Sequence, residues 1–293
     1  MKLLSTITSL FVDGISYGMV LFLISVGLTV TLGVMRVANL AHCGFAMIGG
    51  YAAYALMGSL GLAFVVALPV ATVLVAVLGF ILERTLYRWV YATSQLGQIL
   101  MTIGLTFVMV ASVNLAFGSA THALTIPSWL QGTWQESSFT LSRYRAFIIL
   151  LGLCIGICLW ALLKFTVFGA KLRASVDNPR MARSVGVNVP NIFAVTFAAG
   201  CGLAALGGVV GTPLLPLEPY YALRLLVPVL MVVAVGGLGS PIGSLAAGLL
   251  LGVVDTFGRY YIPAGGAFVI YFTVVIALLL RPQGLFARAG GGK

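Results

Sequence analysis

Six carboxylates are the chain's whole supply of acidic side chains: Asp13, Glu83, Glu136, Asp177, Glu218 and Asp255. A proton- or sodium-driven transporter usually keeps an ionisable group near the bilayer midplane. These six fall mostly at the ends of apolar stretches, which weakens the reading of an ATP-independent secondary transporter, although backbone carbonyls can also hold sodium. Asp255 has Arg259 four residues on, the spacing of a local helix pair. An intramembrane enzyme needs a nucleophile with a base, or a metal cluster. His42 beside Cys43 comes nearest, but adjacent residues on a helix point about 100° apart. Cys154 and Cys158 are one turn apart, with no His or carboxylate nearby to complete a metal site. All four cysteines (Cys43, Cys154, Cys158, Cys201) read as small buried apolar side chains. A P-loop needs Lys followed by Ser or Thr, and every Lys here precedes Leu or Phe or ends the chain. The sequence therefore offers no catalytic residue and no metal site, and energy from nucleotide, if used, must come from another chain.

The elements that position these residues are membrane helices. Of 293 residues, 61% are hydrophobic and 8% charged, against about a quarter charged in a soluble domain. Ile15 to Val34 and Leu60 to Leu82 carry no charge at all, and about 20 such residues match a bilayer core of about 30 Å. The 36 glycines suit close packing of membrane helices. Short alternating segments of about 10 residues, the mark of a barrel, are missing. The expected fold is all-α: one transmembrane domain over 1–293, a polytopic bundle of 8 or 9 membrane segments, some broken or re-entrant. The apolar segments run at about 9–34, 37–57, 61–82, 96–117, 146–165, 191–214, 224–237, 241–258 and 265–281.

The formal charge of +10 is read by position, as a topology signal and not as a nucleic-acid surface. With the loop at 166–190 placed inside and the segments alternating, eleven of the sixteen Lys and Arg residues fall inside, Arg36, Arg288 and Lys293 among them. Lys2, Arg143, Arg145, Arg224 and Arg259 fall outside. This bias follows the positive-inside rule and puts the N-terminus outside and the C-terminus inside. The stretch 118–145, with Trp129, Trp134 and Tyr144, is then an outer loop at headgroup level.

Two stretches interrupt the apolar pattern. Asn39, His42, Gly44, Gly49, Gly50 and Tyr51 fall in one, and Gly236, Gly237, Gly239 and Ser240 in the other. Broken helices within a membrane are tolerated where the freed backbone faces a cavity, and half-helix ends supply the donors and acceptors a zwitterion needs. Close packing through glycine explains the same residues equally well. At 169–190, Asp177-Asn178-Pro179 reads as a helix start with Pro at the first position, and Gly186 as its end. Met181, Ala182 and Val185 would form a small apolar face suited to a groove on another protein. An ordinary basic loop over lipid headgroups has the same composition.

Four stretches, in order, resemble the LivH-type permeases of branched-chain amino acid importers. They are Gly14 to Tyr51, with Cys43 where Gly is commoner; Arg173 to Val187; Gly236-Gly237-Leu238-Gly239-Ser240-Pro241; and Arg281-Pro282-Gln283-Gly284-Leu285-Phe286. The resemblance implies the permease subunit of an ABC importer in a bacterial inner membrane, moving branched-chain or related hydrophobic amino acids by alternating access. The implied partners are a LivM-type permease, two cytoplasmic ATPase subunits that use ATP and Mg, and a periplasmic substrate-binding protein. By the same resemblance, Asp177, Asn178, Pro179, Arg180, Ala182, Arg183 and Gly186 would couple to the ATPase. Residues 39–51 and 236–244 would line the pathway, and Glu218 and Arg224 would dock the binding protein. Urea, amides or aromatic acids are the alternative solutes.

Overall fold

The computed structural model describes residues 2–35, 39–90, 93–136 and 139–286; Arg36, Arg288 and Lys293 lie outside them. The helices in chain order are α1 (Lys2–Met35), α2 (His42–Ser59), α3 (Phe64–Leu82), α4 (Arg88–Val90), α5 (Gln95–Phe117), α6 (Arg143–Phe165), α7 (Val167–Asp177), α8 (Pro179–Ser184), α9 (Val189–Gly211), α10 (Tyr221–Gly236), α11 (Pro241–Tyr261) and α12 (Gly266–Leu280). A π-turn, Glu83–Tyr87, joins α3 to α4. The only strands among the described residues form a small antiparallel hairpin, β1 (Thr133–Glu136) on β2 (Phe139–Ser142), in the expected outer loop. Each of the nine expected apolar segments coincides with a helix. Six helical stretches are long and apolar enough to cross a membrane, among them Ser5–Gly33 and Phe64–Val90. Helices α10 and α12 are shorter, and α2 is diluted by glycine and tyrosine.

Helix α1 is the axis of the bundle, and Met19 to Ile24 along it are fully enclosed. Its enclosure rests on two glycine pairs at four-residue spacing. Gly14 and Gly18 of α1 face Gly248 and Gly252 of α11, where a Cβ on Gly18 would lie 2.5 Å from the Gly248 carbonyl oxygen. This small-xxx-small packing brings antiparallel backbones into contact. On the other side of α1, Gly27 meets Gly200 and Ile24 meets Gly207 of α9. Helix α9 in turn packs on α2 through Gly208 and Ala46, and on α3 through Cys201 and Gly79. Leucine-rich faces of α5, α6 and α12 point outward, with Leu115, Leu150 and Leu279 among the most exposed.

Contacts between helix ends fix which termini lie together. Asp13 in the first half of α1 pairs with Arg145 at the start of α6, and Phe64 at the start of α3 lies edge-on to Tyr144. At the opposite end Gly33 meets Gly239, and Arg84 donates to Asn191 Oδ1. The long helices thus alternate in direction. Arg84, Lys164, Arg173 and Arg183 collect at one end, and Arg143, Arg145, Arg224 and Arg259 at the other, as the sequence bias requires.

Two expectations need correction. Helix α2 is continuous through Gly44, Gly49 and Gly50, and each glycine is packed against a neighbouring residue; the interruption comes before it, at Asn39–Ala41. Cys154 and Cys158 are exposed on α6, while Cys43 and Cys201 are buried, because α6 is a peripheral helix that turns this face away from the bundle.

Candidate functional site

The chain re-enters the bundle at Asn39. Its Oδ1 accepts from the Ala41 N–H (3.1 Å) and from the Tyr87 hydroxyl (2.7 Å), while its Nδ2 has no partner. His42 opens α2 with Nε2 on the Ile24 carbonyl oxygen (2.9 Å). That bond ties α2 to the middle of α1 and leaves His42 a buried tether. Among the described residues no group of three His, Cys, Asp or Glu could hold a metal ion. Gly44 faces Met109, Gly49 faces Ala205, and Gly50 faces Leu217 and Thr212. Tyr51 joins an aromatic cluster with Phe117 (4.9 Å between centroids) and His122 (5.9 Å), and Tyr54 lies 4.5 Å from His122. The cluster is pinned by the backbone bridge between His122 and Leu217. Half-buried Glu218 accepts from Arg224 at 2.7 Å just beyond it.

The second glycine stretch lies elsewhere. Gly211, next to the Thr212 that faces Gly50, packs on Val20, whereas Gly239 packs on Gly33. Thirteen residues of helix separate those levels, about 20 Å. The two stretches expected to line one pathway therefore occupy different depths. Gly236 ends α10, and Gly237 (φ 95°) and Gly239 (φ 78°) make the turn into α11. The Ser240 hydroxyl oxygen caps α11 by accepting from the Gly243 N–H (3.1 Å). The acceptors that α10 presents are already used: Leu285 donates to the Val235 carbonyl (2.8 Å) and Phe286 to that of Gly236 (3.3 Å). Gly284 lies on Gly237. The Arg281–Phe286 signature is thus a clasp over this junction, and Gly236 and Gly237 are buried packing positions. Only Gly239 and Ser240 reach open space.

That space is a cavity of about 690 Å³ at the Lys- and Arg-rich end, lined by Gly33, Trp160, Lys164, Arg173, Asp177, Gly239 and Ser240. Lys164 sits 4.9 Å above the Trp160 ring, and Arg173 is held by the Leu163 carbonyl. A second cavity, about 370 Å³, is lined by Glu83, Arg84, Arg88, Arg183 and Phe193. Between the two runs the α7–α8 segment. The Asn178 side-chain oxygen caps α8 by accepting from the Met181 N–H (3.0 Å), with Pro179 at the first position. Gly186 (φ 85°) ends it, as the residue pattern implies. Asp177, Asn178, Pro179, Arg180, Arg183 and Gly186 are exposed. The expected apolar face is split: Met181 and Val185 point outward at 63% and 72% exposure, while Ala182, at 3%, is packed inward. Ala182 therefore packs on the inner side of α8.

The sequence reading missed Tyr87, Tyr221 and His122, which have no local pattern to mark them, and the Lys164–Trp160 pair, whose four-residue spacing could have signalled it.

The family described as "Branched-chain amino acid transport system / permease component" matches residues 10–280. The high-affinity branched-chain amino acid transport system permease protein LivH of Escherichia coli K12 is 27% identical over 291 residues, covering 94% of each chain. The corresponding protein BraD of Pseudomonas aeruginosa is 28% identical over 292 residues, with 94% of each covered. A probable branched-chain amino acid transport permease protein LivH of Methanocaldococcus jannaschii is 26% identical over 286 residues, covering 94% of this chain and 89% of the relative. Among solved structures, PsaBC from Streptococcus pneumoniae in complex with Fab aligns over 92% of this chain and 89% of that one, at 12% identity and a TM-score of 0.49. The chain is a multi-pass membrane protein and belongs to the family of branched-chain amino acid transport permease components.

Proposed function

We propose that this chain is the membrane-spanning permease subunit of an ABC importer that carries branched-chain or related hydrophobic amino acids across a bacterial inner membrane. Nine crossings put its N-terminus outside and its C-terminus inside. A related permease chain completes the translocation unit, two cytoplasmic ATPase subunits bind ATP and Mg, and a periplasmic binding protein delivers the solute. The observation that carries this reading is the family match over residues 10–280, joined to the exposed, capped α8 at the Lys- and Arg-rich end.

In this reading α7–α8 is the coupling element. Asp177 borders one cavity and Arg183 the other. A push on α8 by a closing ATPase dimer then reaches the Gly239–Ser240 turn at the start of α11 and the π-turn at the end of α3 together. Met181 and Val185 supply the apolar contact, with Arg180 and Arg183 beside them. At the other end, Glu218 and Arg224 form the polar edge met by the binding protein.

The test is ATP hydrolysis by the chain purified with its native partners in lipid. Parent and Arg183→Glu are compared with and without a binding protein loaded with leucine. The expected result is stimulation in the parent and its loss in the variant, by uncoupling or disassembly. A chain that purifies without an ATPase and still moves solute in proteoliposomes overturns the reading.

A further inference from the structure

Polar atoms buried in a membrane bundle find partners, because hydrocarbon offers none. Among the described residues three uncharged side chains break that rule: Asn39 at Nδ2, Tyr51 at Oη and Tyr221 at Oη. Their exposures are 2%, 1% and 0%. The other unpartnered atoms belong to Asp13, Arg143 and Asp255. Those are charged groups at the ends of the bundle that pair with Arg145, stack on Trp134 and pair with Arg259, respectively.

The three uncharged groups fall along α2. Asn39 precedes that helix and Tyr51 lies on it. Tyr221 opens α10, which packs beside α2. The Tyr221 hydroxyl is 3.2 Å from where a Cβ on Gly211 would lie, and it is within electrostatic reach of Cys43 on α2. Cys43 and Gly50 are seven residues apart and so share one face. Gly50 in turn faces Thr212 and Leu217; Thr212 follows Gly211 in the chain, and Leu217 lies four residues before Tyr221. The line thus runs from the start of α2 to the aromatic cluster at Tyr51.

We propose that Tyr221 and Tyr51, with Asn39, are the solute-contacting groups of a route that opens between α2 and α10 and is closed in this structure. This rests on the permease reading above. A tyrosine hydroxyl both donates and accepts, so it serves a carboxylate or an ammonium equally, and the Asn39 amide nitrogen donates to a carboxylate. The buried carboxylates, Glu83 and Asp255, each face an arginine. Glu218 lies within electrostatic reach of Tyr51 and Arg224 of Tyr221, and these two pair with each other at 2.7 Å, so the route offers dipoles and a neutralised ion pair at its outer end, which fits a solute whose own charges cancel. The closing of α2 on α10 strands the hydroxyls; the solute gives them partners when the helices part.

The test uses the assembled importer in proteoliposomes with labelled leucine, comparing the parent with Tyr221→Phe and Tyr51→Phe. Removing a hydroxyl that has no partner keeps the packing and removes an unmet desolvation cost. The expected result is a Tm equal to or above the parent's together with leucine uptake reduced tenfold or more. Uptake within twofold of the parent in both variants overturns the assignment. A lowered Tm in both also overturns it, because the hydroxyls would then be holding the fold. A small thiol reagent gives an independent reading. Cys43 should be modified during turnover, while Cys201, buried against Gly79, should not; an unmodified Cys43 removes the route from this face. A parent complex that moves no neutral amino acid sinks the permease reading itself, an outcome separate from parent uptake with unaffected variants.

Discussion

The two glycine-rich stretches look alike as sequence and differ in what surrounds them. On two faces of α2, glycines meet side chains: Gly44 lies against the Met109 thioether and Gly50 against the Leu217 methyls, whereas toward α9 Gly49 and Ala46 are packed on backbone at Ala205 and Gly208. At the α10–α11 junction, glycines meet backbone: Gly236 and Gly243 touch each other's main chain, and Gly284 lies on Gly237. Side chains repack and backbone does not. Those two faces of α2 can therefore accommodate a change of neighbour more readily than the junction, where backbone is packed on backbone. Polar groups follow the same division. Near α2, Asn39, Tyr51 and Tyr221 lack partners, while at the junction the carbonyls of Val235 and Gly236 are satisfied by Leu285 and Phe286.

The sharpest way to break this comparison is to add one methyl group in each region. In Gly243→Ala the new Cβ runs into the Gly236 carbonyl oxygen, and neither helix can yield without opening the clasp. Destabilisation of about 3 kcal/mol is expected, at the upper end for overpacked sites, and should appear as a large loss of folded protein and of Tm. In Gly44→Ala the new Cβ meets the sulfur of Met109, the end of a flexible side chain that finds another rotamer. A cost below about 1 kcal/mol is expected there. Equal losses in the two variants would mean that α2 is as rigid as the junction.

A smaller effect is expected at Tyr87, which anchors the entry to α2 through its bond to Asn39 Oδ1. Hydrogen bonds between membrane helices contribute about 0.6 kcal/mol on average and up to about 1.7. Tyr87→Phe should cost an amount in that range and leave Asn39 Oδ1 held by the Ala41 N–H alone. Proteolysis or hydrogen exchange in the turn before α2 should then rise, with exchange in α11 unchanged. Equal exchange in both helices would show that the Tyr87 bond does not govern α2 alone.

Much of the fold was legible because the membrane imposes a coarse rule. A run such as Leu60–Leu82, without a charge, must become a helix and cross, and it became α3. The α8 start at Asn178-Pro179 and its stop at Gly186 were legible because caps are local chemistry. What glycine does was not legible, since a gap for a solute and a gap for a neighbouring backbone require the same residue. Gly236 and Gly237 look as open as Gly239 until the clasp from Arg281–Phe286 is seen to close over them. Ala182 was misjudged because a six-residue helix places its small residues inward or outward according to α9 beneath it, which no local spacing encodes. Tyr221 was missed for a related reason: its hydroxyl matters through Gly211 and Cys43, both distant in the chain.

The smallest structural effect is expected at the polar edge above the aromatic cluster. Glu218 and Arg224 are paired at 2.7 Å, but their side chains remain 34% and 43% exposed. An ion pair this wet is worth about 0–1 kcal/mol, so Glu218→Gln should leave Tm nearly unchanged. Its effect on association should be larger than its effect on the fold, because charges at the rim of an interface act mainly on encounter rates and their salt dependence. The measurement is stimulation of ATP hydrolysis by a loaded binding protein, taken at rising ionic strength. The parent's stimulation should fall as salt screens the edge. The variant should begin lower and change less, since it has one charge fewer to screen. Parallel salt curves for the two proteins would take Glu218 out of the docking surface. The polar edge would then be a local staple of the 212–224 loop, structurally closer to the clasp at the α10–α11 junction than to the α2 route it overlies.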